Sequence, residues 1–383
     1  MKKLAIIGAS DFQNPLILKA KSRGIETHVF AWEAGDIGEK TADFFYPISI
    51  TEKDKILQKC QEIGVDGIAS IGSDLANITV AYVADVMGLV GNSMECVSKS
   101  TDKHLMREAF EKNHDPSPKS IMVTACDELD FNELSFPVIV KPVDRSGSRG
   151  ITKVLEPSGM KPALEAAWTE SFGANALVEQ FVEGREFSVE YLSWKGKHHF
   201  LALTEKFTTG APHFIEKGHL EPARVIREEQ QEICIIVEHA LNSLGIEYGA
   251  SHAEVKMEPN GDIYIIEIGS RMGGDCIGSD LVQLSTGFDY VNAVIDVALG
   301  IEPIVSPSTA SKYAAIRFIF SDADKKALLS MEKEDPDLLN YSSSIDQEIH
   351  PITDSASRYG FFIFSSECFE KMEKYLPNGE ETI

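Results

Sequence analysis

Two glutamates that end up face to face across a hairpin are the residues whose type and spacing speak most directly of chemistry. Between His252 and Glu267 an Asn260-Gly261 pair separates two apolar-rich runs. Asn-Gly is the strongest short signal for a two-residue type I′ turn, because both central residues need positive φ. That loop pairs Pro259 with Asp262, Lys256 with Ile265, and Glu254 with Glu267, and it leaves Val255, Met257, Tyr264, Ile266 and Ile268 as a core face. Directly opposed like charges destabilise a hairpin, so this pair calls for something between the two carboxylates. Hard carboxylate oxygens suit Mg²⁺ or Mn²⁺, which accept a few carboxylates and complete their shells with water and phosphate oxygens. Spacing alone leaves two alternatives open, a pair of solvated carboxylates and an acid/base pair sharing one proton.

Several segments could meet phosphate. The apolar run Val138-Ile139-Val140 ends on Lys141-Pro142, and Asp144-Arg145-Ser146-Gly147-Ser148-Arg149-Gly150 follows. Its two glycines and two hydroxyls allow backbone N–H groups to wrap phosphate oxygens, with Arg145 and Arg149 adding charge; a plain surface hairpin is the alternative. Lys103 and Arg107 stand at i and i+4 on one helical face, directed at one anion or at solvent. The apolar strand 176–182 runs into Glu183-Gly184-Arg185-Glu186, where backbone groups could read a purine edge and a carboxylate could hold ribose hydroxyls, or where the chain makes an ordinary turn. Gly8-Ala9-Ser10 follows the first strand, yet positions 10 and 13 are Ser and Gln, which excludes the Gly-x-Gly-x-x-Gly dinucleotide pattern. No Walker-type phosphate loop occurs.

These residues need elements to hold them. Strands at 4–9 and 26–31 around a helix at 14–23, then a strand at 65–71, a helix at 75–87 and a short strand at 89–90, predict a doubly wound α/β domain over residues 1–94. Ser100-Thr101-Asp102 offers N-caps to a helix reaching about residue 112, and Pro116 and Pro118 mark a linker. Strands at 136–141, 151–155, 176–182 and 186–194, helices at 160–172 and 227–244, and the hairpin predict an α+β domain over 95–302. The remainder, 303–383, reads as βαββα, with elements at 313–320, 325–333, 345–350, 359–364 and 368–375.

Composition narrows the partners. The 383 residues include 36 Lys and Arg against 60 Asp and Glu, a net charge of −24. Such acidity excludes the basic surfaces that bind nucleic acid or an anionic membrane, so any polyanionic ligand must be met by a local set of cations. Six cysteines, Cys60, Cys96, Cys126, Cys234, Cys276 and Cys368, show no zinc spacing, which predicts reduced thiols and a cytoplasmic protein. The short apolar run at 4–9 is not a signal peptide, and no stretch reaches the roughly eighteen apolar residues of a membrane span.

Taken in order, four segments resemble the ATP-grasp superfamily: Asp102-Lys103-x-x-Met106-Arg107; Val138-Ile139-Val140-Lys141-Pro142 with its Ser/Gly loop; Glu179-Gln180-Phe181-Val182-Glu183-Gly184-Arg185-Glu186; and Glu254 with Glu267-Ile268-Gly269-Ser270-Arg271-Met272-Gly273-Gly274. The resemblance implies an ATP-grasp fold with an N-terminal doubly wound α/β domain, a central lid at about 119–190 within the domain over 95–302, and a C-terminal βαββα subdomain over 303–383. It further implies that Lys103 and Lys141 contact ATP phosphates and that Ser146, Gly147 and Ser148 lie in a mobile loop closing over them. Glu179 and the backbone of Gln180, Phe181 and Val182 would hold adenine, Glu186 the ribose, and Glu254 and Glu267 Mg²⁺ or Mn²⁺; Arg271 would steady the transferred phosphoryl group or an oxyanion. Many members carry Asn two residues after the second Glu as a further metal ligand. Here that position is Gly269, so water or substrate completes the shell, or the site holds fewer protein ligands.

Within the superfamily, the segment Thr204 to Pro222, the Arg271-Met272-Gly273-Gly274 turn and the small tail look like carboxylate–amine ligases of the L-amino-acid ligase type. By that likeness His219 matches a substrate-site histidine, and His213 and Glu216 are weaker candidates for shaping the pocket. The implied reaction joins a small-molecule carboxylate to an amine through an acyl phosphate, releasing ADP and phosphate, in a protein that is a candidate homodimer. Alternatives are a bicarbonate-activating enzyme of the carbamoyl-phosphate synthetase or biotin carboxylase kind, and a non-catalytic ATP sensor.

Overall fold

The computed structural model describes residues 1–125, 134–306, 312–346, 348 and 350–377. Cys126 and two positions of the expected 345–350 strand lie outside the described residues. The first sheet contains β1 (Lys3–Ile7), β2 (Glu26–Ala31), β3 (Phe44–Pro47) and β4 (Gly67–Ala69), all parallel, in the order β3-β2-β1-β4. After Lys3, strand β1 reads as an unbroken apolar run because a parallel sheet is covered on both faces. The short strand expected at 89–90 does not form, and β3 was not anticipated. The helix Asn14–Ser22 packs Leu16, Ile17 and Ala20 into one core with Val291, Val294 and Ile295 of the helix Tyr290–Ala298, which joins this layer to the middle of the molecule.

The second sheet has β5 (Ser120–Thr124), β6 (Val138–Pro142), β7 (Thr152–Val154) and β8 (Asn175–Gln180), antiparallel in the order β5-β8-β6-β7. Met160, Ala163, Leu164 and Ala167 of the helix Met160–Glu170 cover one face, leaving the other free to roof a cleft.

The third sheet is antiparallel and eight-stranded. It is formed by β9 (Arg185–Trp194), β10 (Lys197–Thr208), β11 (Glu216–Glu221), β12 (Tyr248–Met257), β13 (Ile263–Gly269), β14 (Tyr313–Phe318), β15 (Leu339–Ser342) and β16 (Phe361–Ser366), ordered β13-β12-β9-β10-β11-β14-β16-β15. The tail is βαββα, but its three strands extend this sheet through the β11–β14 ladder. Gly218 permits that pairing: a Cβ there would stand 2.4 Å from the Ile316 carbonyl oxygen. The second tail strand is Leu339–Ser342, not 345–350, and the connection to β16 carries a turn at Ser355–Ser357 capped by Asp354. Among the described residues no helix is long and apolar enough to cross a membrane.

Candidate active site

The floor of the cleft is the β12–β13 hairpin, and there Glu254 does lie opposite Glu267. The turn that achieves this differs from expectation. Glu258 and Asp262 close a three-residue loop (Glu258 N donating to Asp262 O, 2.9 Å), in which Gly261 alone adopts positive φ, 95°. Register is therefore offset by one near the turn, Val255 pairing with Ile265, and a bulge at Ile266 restores it before Glu267. Ile263 and Ile265 consequently enter the core in place of Tyr264 and Ile266. Ile266 lines the cleft, and its carbonyl accepts from Arg107 at 2.6 Å.

Each floor carboxylate has its own lysine. Lys206 Nζ lies 2.8 Å from Glu254, and Lys103 Nζ lies 2.9 Å from Glu267. Burial disfavours the charge on Lys206, yet Glu254 and Glu216 overcome it and hold its proton more firmly than usual. Beside Glu254, the Nε2 of His252 stands 3.4 Å away, while its Nδ1 is clamped by the buried Glu190. Burial would lower His252, but the Glu190 carboxylate pushes it up to about 9.

The roof brings further cations. Asp102 caps the helix Lys103–Asn113, accepting from His104 N at 2.8 Å and Leu105 N at 3.0 Å, which fixes Lys103 in its first turn. Lys103 and Arg107 are both buried, which removes the solvated-face reading. Lys141, at the end of β6, lies 2.6 Å from Glu179, and Arg107 lies 2.7 Å from the other oxygen of the same carboxylate. Burial lowers Lys141; Glu179 opposes that, and nearby Arg107 and Lys103 add to it.

The Ser146-Gly147-Ser148 loop is not a plain surface hairpin. It lies over the cleft, with Ser148 Oγ donating to Phe214 O at 3.2 Å and Gly147 O accepting from Ser355 N at 3.4 Å. At one end of the cleft Gln180, Phe181 and Val182 form an apolar slot with Ile139, Phe214 and Ile266. Phe181 is capped by Lys153 Nζ, 3.5 Å from the ring centroid, and Glu186 pairs with Lys256 at 2.8 Å.

The other end is polar. Arg271 is held bidentately by Asp74, at 2.8 and 2.9 Å, across from the first sheet. That pair occupies the space an Asn at position 269 would need: a Cβ on Gly269 would meet Asp74 Oδ1 at 3.1 Å and Arg271 Cζ at 3.3 Å. His219 is buried beside Asp275, which Arg358 grips at 2.6 and 2.9 Å. Glu216 faces the same end, accepting from Ser355 Oγ at 2.6 Å; His213 lines none of these cavities. The three cavities share Glu216 and Glu254 and form one cleft.

A family model described as an ATP-grasp domain matches residues 134–279. Its matched span includes Lys141, Glu179, Glu254, Glu267 and Arg271, whereas Lys103, Asp74 and Arg358 reach the same cleft from outside it. The chain is 23% identical over 298 residues to alanine–anticapsin ligase of Bacillus subtilis (strain 168), covering 68% of this chain and 62% of that protein. It is 32% identical over 168 residues to D-alanine–D-alanine ligase of Flavobacterium psychrophilum, 41% of this chain and 50% of the relative. The match thus spans about three fifths of the length of the first of these relatives. Among solved structures, L-amino acid ligase from Bacillus licheniformis superposes with a TM-score of 0.84 at 23% identity, over 98% of this chain and 96% of that one. Phosphoribosylglycinamide synthetase from Anaerococcus prevotii gives 0.76 at 23% identity, over 97% and 96%. The shared property is the fold, along nearly the whole chain.

Asp74, Lys206, His252 with Glu190, Asp275 and Arg358 were not singled out from sequence. Lys206 had a weak signal, since Thr204, Lys206 and Thr208 fall on one face of an alternating strand. Asp74 and Arg358 had none, because their partners lie 197 and 83 positions away.

Proposed function

We propose that this protein is an ATP-dependent carboxylate–amine ligase that works through an acyl phosphate. The observation that carries the reading is the convergence of Lys103, Lys141 and the opposed Glu254 and Glu267 between an apolar slot and a polar pocket containing Arg271 and His219. In this reading the slot at Gln180 to Val182 takes adenine through the strand-end backbone, and Glu186 takes the ribose. The Glu179 carboxylate is committed to Lys141 and Arg107, so it sets the lysine that meets the phosphates. Lys103 and Lys141 exchange their carboxylate partners for phosphate oxygens, and the Ser146 to Ser148 loop keeps water from the reactive acyl group.

Glu254 and Glu267 fit a divalent cation: they are hard oxygen donors, opposed, partly open to the cleft, and too few to form a closed cage without phosphate and water. Bound there, Mg²⁺ or Mn²⁺ would supply neutralisation of triphosphate charge. The acid's carboxylate attacks the γ-phosphorus in line, and ADP leaves. The amine then attacks the acyl carbon, with Arg271 facing the developing oxyanion, and phosphate departs.

A screen of paired acid and amine pools for ADP release tests the reading, with Glu267→Gln as control. Release that needs both an acid and an amine and falls at least tenfold in the variant supports it. Release driven by bicarbonate with no organic acid replaces it with carboxyphosphate chemistry, and ATP binding without turnover across the panel replaces it with a sensor.

A further inference from the structure

The polar end of the cleft contains a buried histidine with an incomplete environment. His219 is 1% exposed and, among the described residues, neither ring nitrogen has a hydrogen-bond partner. Its Nε2 lies 3.5 Å from Oδ2 of Asp275, and the ring packs edge-on against Phe318. Asp275 itself is held in the left-handed region, φ 51°, followed by Cys276 at 60°, a costly pair for residues with side chains. What holds it there is Arg358. That guanidinium lies over the Phe318 ring at 3.5 Å, donates to both Asp275 oxygens, and is fixed by the carbonyls of Ser355 and Glu216 at 2.7 and 3.3 Å.

We propose that Arg358, acting through Asp275, keeps His219 neutral so that it can take the proton an amine substrate must lose before attack. The proposal rests on the ligase reading. Arg358 is a positioning residue contributed by the tail; His219 is the group that meets the substrate. The amine arrives as an ammonium ion, and one of its N–H protons passes to the unprotonated ring nitrogen of His219, giving an imidazolium and a free amine. The nitrogen lone pair then forms the bond to the acyl carbon. The C–O bond to phosphate breaks with its electron pair on phosphate, the second proton leaves with that phosphate, and His219 returns its own proton to water.

The charges around the ring fit this assignment. Asp275 faces it from the loop after β13, Lys206 from β10, and Glu216 from its own strand. Burial lowers His219 below its ordinary value despite Asp275, and Arg358 holds the Asp275 carboxyl well below the usual range. Without Arg358, His219 becomes the cation that Asp275 recruits.

The test is the His219 titration in the resting full-length protein, read by NMR of isotopically labelled histidine and assigned from His219→Gln. The expected result is that Arg358→Gln raises the midpoint by on the order of one pH unit, Arg358→Lys raises it less, and Asp275→Asn lowers it. The acid limb of kcat/KM moves up with Arg358→Gln by the same amount. An unchanged or lowered midpoint in Arg358→Gln overturns the proposal. If that variant does not fold, an unchanged or raised midpoint in Asp275→Asn overturns it instead. Because the titration needs no substrate, absence of ligase activity counts against the reaction, whereas an unresponsive His219 in an active ligase counts against the relay alone.

Discussion

Each buried cation of the cleft already has a carboxylate, so ligand binding in the proposed function is an exchange of partners. Lys141 illustrates the consequence. Replacing it with Ala removes the phosphate contact proposed above and also leaves Glu179 with Arg107 alone. A charge-assisted hydrogen bond contributes about 1.5–3 kcal/mol, so Lys141→Ala is expected to raise the KM for ATP roughly 10- to 100-fold, measurable by ADP release over an ATP series. Asp74→Ala leaves Arg271 buried without its bidentate partner, and breaking a buried pair costs about 3–5 kcal/mol; urea denaturation is expected to show a loss of that order together with reduced turnover. The legibility of these residues followed sequence distance. Lys141 and Glu267 stand in local patterns, a strand end and a hairpin. Asp74 acquires meaning only from Arg271, which the chain brings near after more than a hundred intervening residues.

At the scale of elements, the β12–β13 hairpin is instructive because a mistaken turn led to the right pair. Asn260-Gly261 suggested a two-residue loop; the chain uses three, since Gly261 alone supplies positive φ, and the bulge at Ile266 cancels the offset. Periodicity could not reveal that bulge, because Ile263, Ile265 and Ile266 are interchangeable to an apolar pattern. Strand β11 offers two measurements. Gly218→Ala would force its ladder away from β14 and is expected to cost about 1–3 kcal/mol in chemical denaturation. Glu221, on the same strand, accepts from Thr204 at 2.9 Å and from Ser285, and burial pushes its carboxyl up to about 8 from 4.5. A raised folded-state value means that its contribution is complete below about 4.5 and is lost as pH rises through about 8. The urea midpoint is therefore expected to fall across that window, and Glu221→Gln to remove the fall while gaining at least about 1 kcal/mol above pH 8.

At the scale of the molecule, an acidic chain concentrates cations locally: Lys103, Lys141, Lys206 and Arg271 all line one cleft in a protein of net charge −24, which suits the anionic ligand of the proposed function. The βαββα pattern of the tail is legible in the sequence because it is self-consistent, whereas the long-range pairing of β11 with β14 has no local signature. Its strands complete the eight-stranded sheet, and Ala314, Ile316 and Phe318 share a core with Ile277 and Leu281. Residues 1–302 alone are accordingly expected to lose cooperative unfolding or to aggregate, as seen by light scattering, because the β11 edge and that core would be exposed. The central claim is that a substrate carboxylate attacks the γ-phosphorus. Turnover of a carboxylate ¹⁸O-labelled acid, with mass analysis of the released phosphate, tests it most directly. The account predicts one ¹⁸O in phosphate and ADP as the nucleotide product; unlabelled phosphate, or AMP with pyrophosphate, would contradict it.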